Sequence, residues 1–196
     1  MTENSEEELR PRPWSPSFDE QAVRKQLSSA DVEQSILRAH LWVEHLVVEL
    51  LNGSLPNPEA LRADRLSFAL KVELAVSLNL VPPELAPSLM CLNNLRNKAV
   101  HRLDYRFSDA DKRALFDSIS ADVQAELLQE SSFDTLSLPV LLRCLVFLLD
   151  SLRHFHEERT RIRREQWNRY IRDHGKTVER AFRSVGKKPP SWIYSQ

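Results

Sequence analysis

Residues 93–107 read Asn-Asn-Leu-Arg-Asn-Lys-Ala-Val-His-Arg-Leu-Asp-Tyr-Arg-Phe, and Arg96, Asn97 and His101 are the side chains best suited to chemistry. An imidazole takes up and releases protons near neutral pH. A guanidinium fork holds an anion through paired N–H bonds. At about 100° per residue, Leu85, Leu89, Leu92, Leu95, Ala99, Val100 and Leu103 form the core-facing stripe of a helix over 83–102. Arg96 falls near the middle of that stripe, where a leucine is expected, while Asn97 and His101 share its flank. A guanidinium aimed inward must find an anion or several carbonyls.

A helix over 31–52 supplies the candidate anion. Its solvent stripe is Gln34, Arg38, His45, Glu49 and Asn52, and most of the remaining circumference is apolar, so it should be central. His40 and Glu44 lie on the far side from that stripe, one turn apart. A buried carboxylate without a partner is costly, so Glu44 is expected to hold Arg96 across the bundle, with Glu73 as the second candidate. His40 reads as a core histidine.

The elements that must position these residues are all helical. A short helix is expected at 18–28, followed by helices at 31–52, 64–80, 83–102, 109–130 and 138–172. They are separated by Asn52-Gly53-Ser54 with Pro56 and Pro58, by Pro82-Pro83, by Ser108-Asp109, and by Ser131-Ser132 with Pro139. Ser108 reads as an N-cap. No β-alternating stretch and no internal repeat stands out. The chain therefore reads as an all-α antiparallel bundle over 18–152, preceded by a disordered acidic and Pro-rich arm over 1–17. A basic C-terminal helix and tail over 153–196 completes it.

Composition removes several function classes. The chain has 196 residues and a net charge of −1, which excludes a uniformly basic nucleic-acid coat but not a local basic patch. Its 3 glycines, Gly53, Gly175 and Gly186, are too scattered to cradle a phosphate in a Gly-rich loop. Cys91 and Cys144 give neither metal-ligand spacing nor a disulfide framework, and they read as buried apolar filler. The acidic start, with Glu3, Glu6, Glu7 and Glu8, is the opposite of a signal peptide. No apolar run approaches the ~18 residues that span a membrane. A reduced, cytoplasmic protein without a membrane segment is expected.

The run Arg96-Asn97-Lys98-Ala99-Val100-His101, late on a bundle helix, resembles the R-x4–6-H signature of the HEPN superfamily, over roughly residues 31–150. That resemblance implies a small helical bundle, commonly a homodimer, acting as a metal-independent and cofactor-free endoribonuclease in toxin–antitoxin or anti-phage systems. By the same resemblance Arg96 and His101 are the active pair and Asn97 positions them, with RNA as substrate and a protein antitoxin as a possible partner. The chemistry agrees. In RNA the 2′-hydroxyl attacks the neighbouring phosphate, which needs proton transfer and a cation at the phosphorane. Products would be a 2′,3′-cyclic phosphate and a 5′-hydroxyl. A two-fold dimer would bring a second His101 and Arg96 to the cleft.

Two features depart from that pattern or compete with it. HEPN toxins silenced by nucleotidylation carry a tyrosine two residues after the histidine, where this chain has Leu103, with Tyr105 two positions on. The layout also resembles regulators of the mannitol-repressor type, with Leu66-Ser67-Phe68-Ala69 ahead of the motif helix. That second resemblance implies a non-catalytic regulator that binds a protein partner. The residues themselves also admit a structural pair, the arginine holding a carboxylate and the histidine capping a helix end.

Between Arg153 and Arg172 seven arginines face Glu157, Glu158 and Glu165, a net charge of +4. Trp167 and Tyr170, three apart, can share a helix face. Arg161, Arg164 and Trp167 are the expected RNA contacts, cations for phosphates and a ring for a base. Internal Glu–Arg pairs on a solvated helix are the alternative. Pro189 to Tyr194 reads as a frayed tail or as a segment that docks into a partner groove.

Overall fold

The computed structural model describes residues 9–129 and 132–188, excluding the side chains of 171, 172, 173, 176 and 178. The described residues form an all-α bundle without strands. Two compact units divide the chain: residues 14–156, and residues 157–196 with the first thirteen.

In the larger unit, α1 (Glu20–Leu27) begins at Asp19, whose carboxylate accepts from the N–H groups of Gln21 and Ala22. Helix α2 (Val32–Ser54) is capped by Asp31 and buries Ile36, Ala39, Val43, Leu46, Val47, Leu50 and Leu51. Its apolar circumference makes it the central helix, packed on α1, on α3 (Phe68–Ser77) and on α4 (Ala86–His101). Gln34, His45, Glu49 and Asn52 are exposed as the α2 pattern requires.

Helix α3 is shorter than the 64–80 expected. Ser67 takes an extended conformation and caps the helix at Leu70 N–H, leaving Ala63–Arg65 as a separate 3-10 turn. Asn79, in the left-handed region at φ 55°, ends α3 and lets Leu80 N–H reach back to the Ala75 carbonyl at 2.8 Å. Pro83 opens a 3-10 turn, and Pro87 sits in the first turn of α4, where its missing N–H costs no hydrogen bond.

The expected helix over 109–130 is two helices, α5 (Asp109–Asp117) and α6 (Ala121–Leu127). Ser118 Oγ donates to Leu115 O, and the Gln124 amide donates to Phe116 O and Ile119 O. These side chains satisfy the last carbonyls of α5, so the chain turns without leaving them orphaned. Ser108 and Asp111 form a reciprocal capping box at the start of α5. Helix α7 (Leu138–Ser184) extends beyond the expected end at 172, and its Leu141, Leu142, Leu145, Val146 and Leu149 join the core.

The segment read as a disordered arm divides. Its first eight residues lie outside the described ones. Residues 14–17 are tied to the fully buried Asp150 of α7. Asp150 accepts from Trp14 Nε1 at 3.2 Å, from Ser17 N at 3.2 Å, from Ser17 Oγ at 2.6 Å and from Arg153 Nε at 2.9 Å. Trp14 and Phe18 both pack edge-on against Phe147. An aromatic anchor and a buried carboxylate thus offset the ordering entropy of a segment judged by its polar composition. Among the described residues no helix is long and apolar enough to cross a membrane.

Candidate functional site

Leu89, Leu92 and Leu95 bury one stripe of α4 and fix how the helix rotates. Asn93 and Arg96 then lie on one side of it, with Asn94, Asn97, Lys98 and His101 on the other. The two sides meet different neighbours.

On the first side, His40 Nε2 lies 3.1 Å from Asn93 Oδ1, an acceptor, so the ring proton belongs on Nε2. The imidazole also packs against Phe68, with ring centroids 4.5 Å apart. Glu44 Oε1 accepts from Lys71 Nζ at 2.5 Å, and its other oxygen is 3.9 Å from His40 Nδ1. Lys71 is buried, on the Phe68–Val72–Ala75 face of α3. Burial lowers the His40 pKa most; Arg96 and Lys71 lower it further, against the opposing pull of Asn93 and Glu44. His40 is neutral at pH 7.

The expected Arg96–Glu44 pair is absent, because Lys71 already holds Glu44. Glu73 is exposed and takes no part. Arg96 is half-buried and donates from Nη1 to Asn97 Oδ1 at 3.0 Å. Among the described residues no carboxylate lies within 4.0 Å of its guanidinium. Lys71 and Arg96 against Glu44 leave the cluster with one uncompensated positive charge. The missed signal was Lys71 itself, a lysine on the apolar stripe of a short helix, where only a buried acid accounts for it.

On the second side, α4 and α5 enclose a cleft of about 510 Å³ lined by Asn94, Asn97, Lys98, His101, Arg102 and Asp111, with Cys91, Leu95 and Ala114 at its apolar wall. Asp111 accepts from Lys98 Nζ at 2.8 Å, from Tyr105 Oη at 3.1 Å and from Ser108 Oγ at 2.8 Å. Burial pushes the Asp111 carboxyl up, but those hydrogen bonds outweigh it and hold the group ionised below its usual range. Burial and the adjacent Asp111 push the Tyr105 phenol up, so it stays a donor. With Lys98 neutralised, the exposed His101 and Arg102 are the basic side chains left facing the cleft. Burial raises the Cys91 and Cys144 thiols, the latter to about 11, so neither is an activated nucleophile.

Asn97 is the hinge between the two sides. Its carbonyl orients Arg96, and it lines the cleft with His101, whereas Arg96 itself does not line that cleft. The apolar stripe ends early: α4 stops at His101, leaving Val100 46% and Leu103 fully exposed instead of in the core.

In the smaller unit the arginines of α7 differ in their partners. Arg161 of α7 donates to Glu158, to Glu165 and to the Arg10 carbonyl. These are the internal Glu–Arg pairs that the sequence offered as the alternative to phosphate contacts. The Arg161 hydrogen bonds, helped by Arg12 N–H, hold the Glu158 carboxyl down to about 2. Arg164 is exposed and without a partner among the described residues. Trp167 stacks on Tyr170, with centroids 5.7 Å apart and planes at 21°. The tail from Pro189 to Tyr194 lies outside the described residues.

Compared with protein-family models, with curated proteins and with solved structures, the chain matches none.

Proposed function

We propose that the α4 site is a phosphodiester-cleaving site acting on RNA without a metal ion, of the HEPN type. One observation carries this reading: a half-buried guanidinium with no carboxylate partner among the described residues, linked through Asn97 to an open cleft that holds an imidazole. Structural arginines in apolar surroundings are paired with acids. Glu44, the acid the sequence offers to Arg96, is held by Lys71 instead.

In this reading the RNA backbone enters the cleft beside His101 and Arg102. The 2′-hydroxyl gives its proton to an imidazole and attacks the adjacent phosphorus. The 5′-oxygen leaves with a proton from a second acid, producing a 2′,3′-cyclic phosphate and a 5′-hydroxyl. Arg96, bonded to Asn97 at the border of that cleft, turns onto the bound phosphate and stabilises the charge that builds on the phosphorane oxygens. One chain supplies one His101, so a two-fold homodimer supplies the other. The exposed Val100 and Leu103 beside the motif offer apolar surface for that second copy. The same two residues favour the second reading, a non-catalytic regulator that docks a protein partner there.

The test is incubation of the purified chain with single-stranded RNA in EDTA, with mapping of the product ends. Cyclic phosphate ends are expected, and His101→Ala and Arg96→Ala should each slow cleavage by about 10²-fold or more with unchanged far-UV circular dichroism. Cleavage that survives both substitutions overturns the site. No cleavage across a total cellular RNA pool overturns the activity and leaves the regulator.

A further inference from the structure

We propose that the exposed face of α7 opposite the Glu158–Arg161–Glu165 cluster binds single-stranded RNA, deepening the substrate side of the ribonuclease reading, on which it rests. At about 100° per residue, Arg159, Arg163, Trp167, Tyr170 and His174 fall within a sector about 80° wide. No aspartate or glutamate between 159 and 181 shares that sector. Both glutamates that neutralise Arg161 lie on the other side of the helix, where the Arg10 carbonyl and the Arg12 N–H also bind. The segregation is one of charge state as well as position. Arg159 and Arg163 are exposed and have no carboxylate partner among the described residues.

The aromatic part of the stripe is ordered as a column. Trp167 and Tyr170 stack at 5.7 Å, and Tyr170 and His174 at 4.5 Å with planes at 18°. His174 Nδ1 lies 3.1 Å from the Tyr170 carbonyl, which holds the imidazole over the phenol. Trp167 and Tyr170 keep about half their surface in solvent. Parallel rings on the exposed face, with the unpaired guanidinium groups of Arg163 and Arg159 one and two turns away, suit a chain of alternating bases and phosphates. Flat bases extend the column by stacking, and the arginines neutralise the phosphates. A stacked duplex offers no unpaired base to such a column, and an acidic peptide or an anionic membrane would use the arginines alone.

The test uses the full chain carrying His101→Ala, so that the probe is not cut, and a fluorescein-labelled oligouridylate of about 12 nucleotides followed by anisotropy. Trp167→Ala should weaken binding about tenfold, the loss of one stacked base. Arg159→Gln with Arg163→Gln should lower the slope of log K against log salt by about 1.4, two phosphate contacts' worth. Far-UV circular dichroism should be unchanged in each, since these side chains are exposed. Affinity unaltered in both variants overturns the proposal. So does equal affinity for a duplex of the same length, or for an oligoglutamate peptide or phosphatidylserine vesicles, with no dependence on Trp167. Binding through this stripe without cleavage by the unsubstituted chain overturns the ribonuclease reading and leaves the stripe. Cleavage with stripe variants that bind normally overturns the stripe alone.

Discussion

Asp150 and Arg96 are both charges set among the leucines of a bundle helix, and their surroundings are opposites. Asp150 is fully buried and receives four hydrogen bonds, from Trp14, from Ser17 twice and from Arg153. Arg96 is half-buried and has one hydrogen bond, to the side chain of the next residue. A charge whose partners are complete holds a structure together. A charge placed in apolar surroundings with its counter-ion withheld is available to a ligand. The contrast separates a structural node from a candidate site without reference to any motif.

The largest expected effect lies at the node. Asp150→Ala leaves the donors of Trp14, Ser17 and Arg153 facing a cavity, and breaking such a buried set costs about 3–5 kcal/mol. Chemical denaturation measures that loss, and a red shift of Trp14 fluorescence would report release of residues 14–17. A cost below about 1 kcal/mol would mean that the strap is incidental and would erase the structural half of the contrast.

A smaller effect is expected at His40, on the edge of the Arg96 cluster. Its pKa in the folded chain is lowered by burial and by the neighbouring Arg96 and Lys71. The unfolded chain therefore binds the proton more readily, so stability is complete above the ordinary histidine value of 6.5 and falls as pH drops through it toward the lower folded value. Urea midpoints at neutral and mildly acidic pH should show this decline, and His40→Gln should flatten it. Asp111 and Glu158 are held low, so their contributions are lost only at more acidic pH. A wild-type midpoint that does not move between the two pH values would show that burial and the surrounding charges do not hold His40 neutral in the folded chain.

Much of this arrangement was legible in the residues. Ser108 caps the helix it precedes, and the pattern of Leu89, Leu92 and Leu95 turned Arg96 off the solvent side. What escaped did so for identifiable reasons. A wheel was decisive for the long α2 and α4, but α3 has only 10 residues, so Lys71 on its buried face passed as one lysine among apolar neighbours. The break between α5 and α6 depends on Gln124 reaching back to carbonyls of the preceding helix, a contact that local propensity does not encode. Leu103 keeps the apolar spacing, but α4 ends at His101, so the stripe runs past its own helix, and Val100 in the last turn is left half exposed. The Glu158 and Glu165 partners of Arg161 sit at ordinary helical spacing; the Arg10 carbonyl that joins them comes from the other end of the chain.

The smallest stability effect belongs to Arg96 itself, and it decides the comparison. Arg96→Met keeps most of the apolar stem and removes the charge. No carboxylate loses a partner, since Glu44 stays with Lys71, and Asn97 gives up one hydrogen bond at the border of an open cleft. Arg96 and Lys71 both bear on His40, so removing one of the two charges also relieves repulsion. The net change in unfolding free energy should stay within about 0.5–1 kcal/mol of zero, the range of substitutions that break no buried network. RNA cleavage, measured on the same sample, should nevertheless be lost. A charge whose removal leaves the fold intact and abolishes the chemistry is held for a ligand. Destabilisation by about 3 kcal/mol or more would instead place Arg96 with Asp150 as a structural charge and remove the argument for a site on α4.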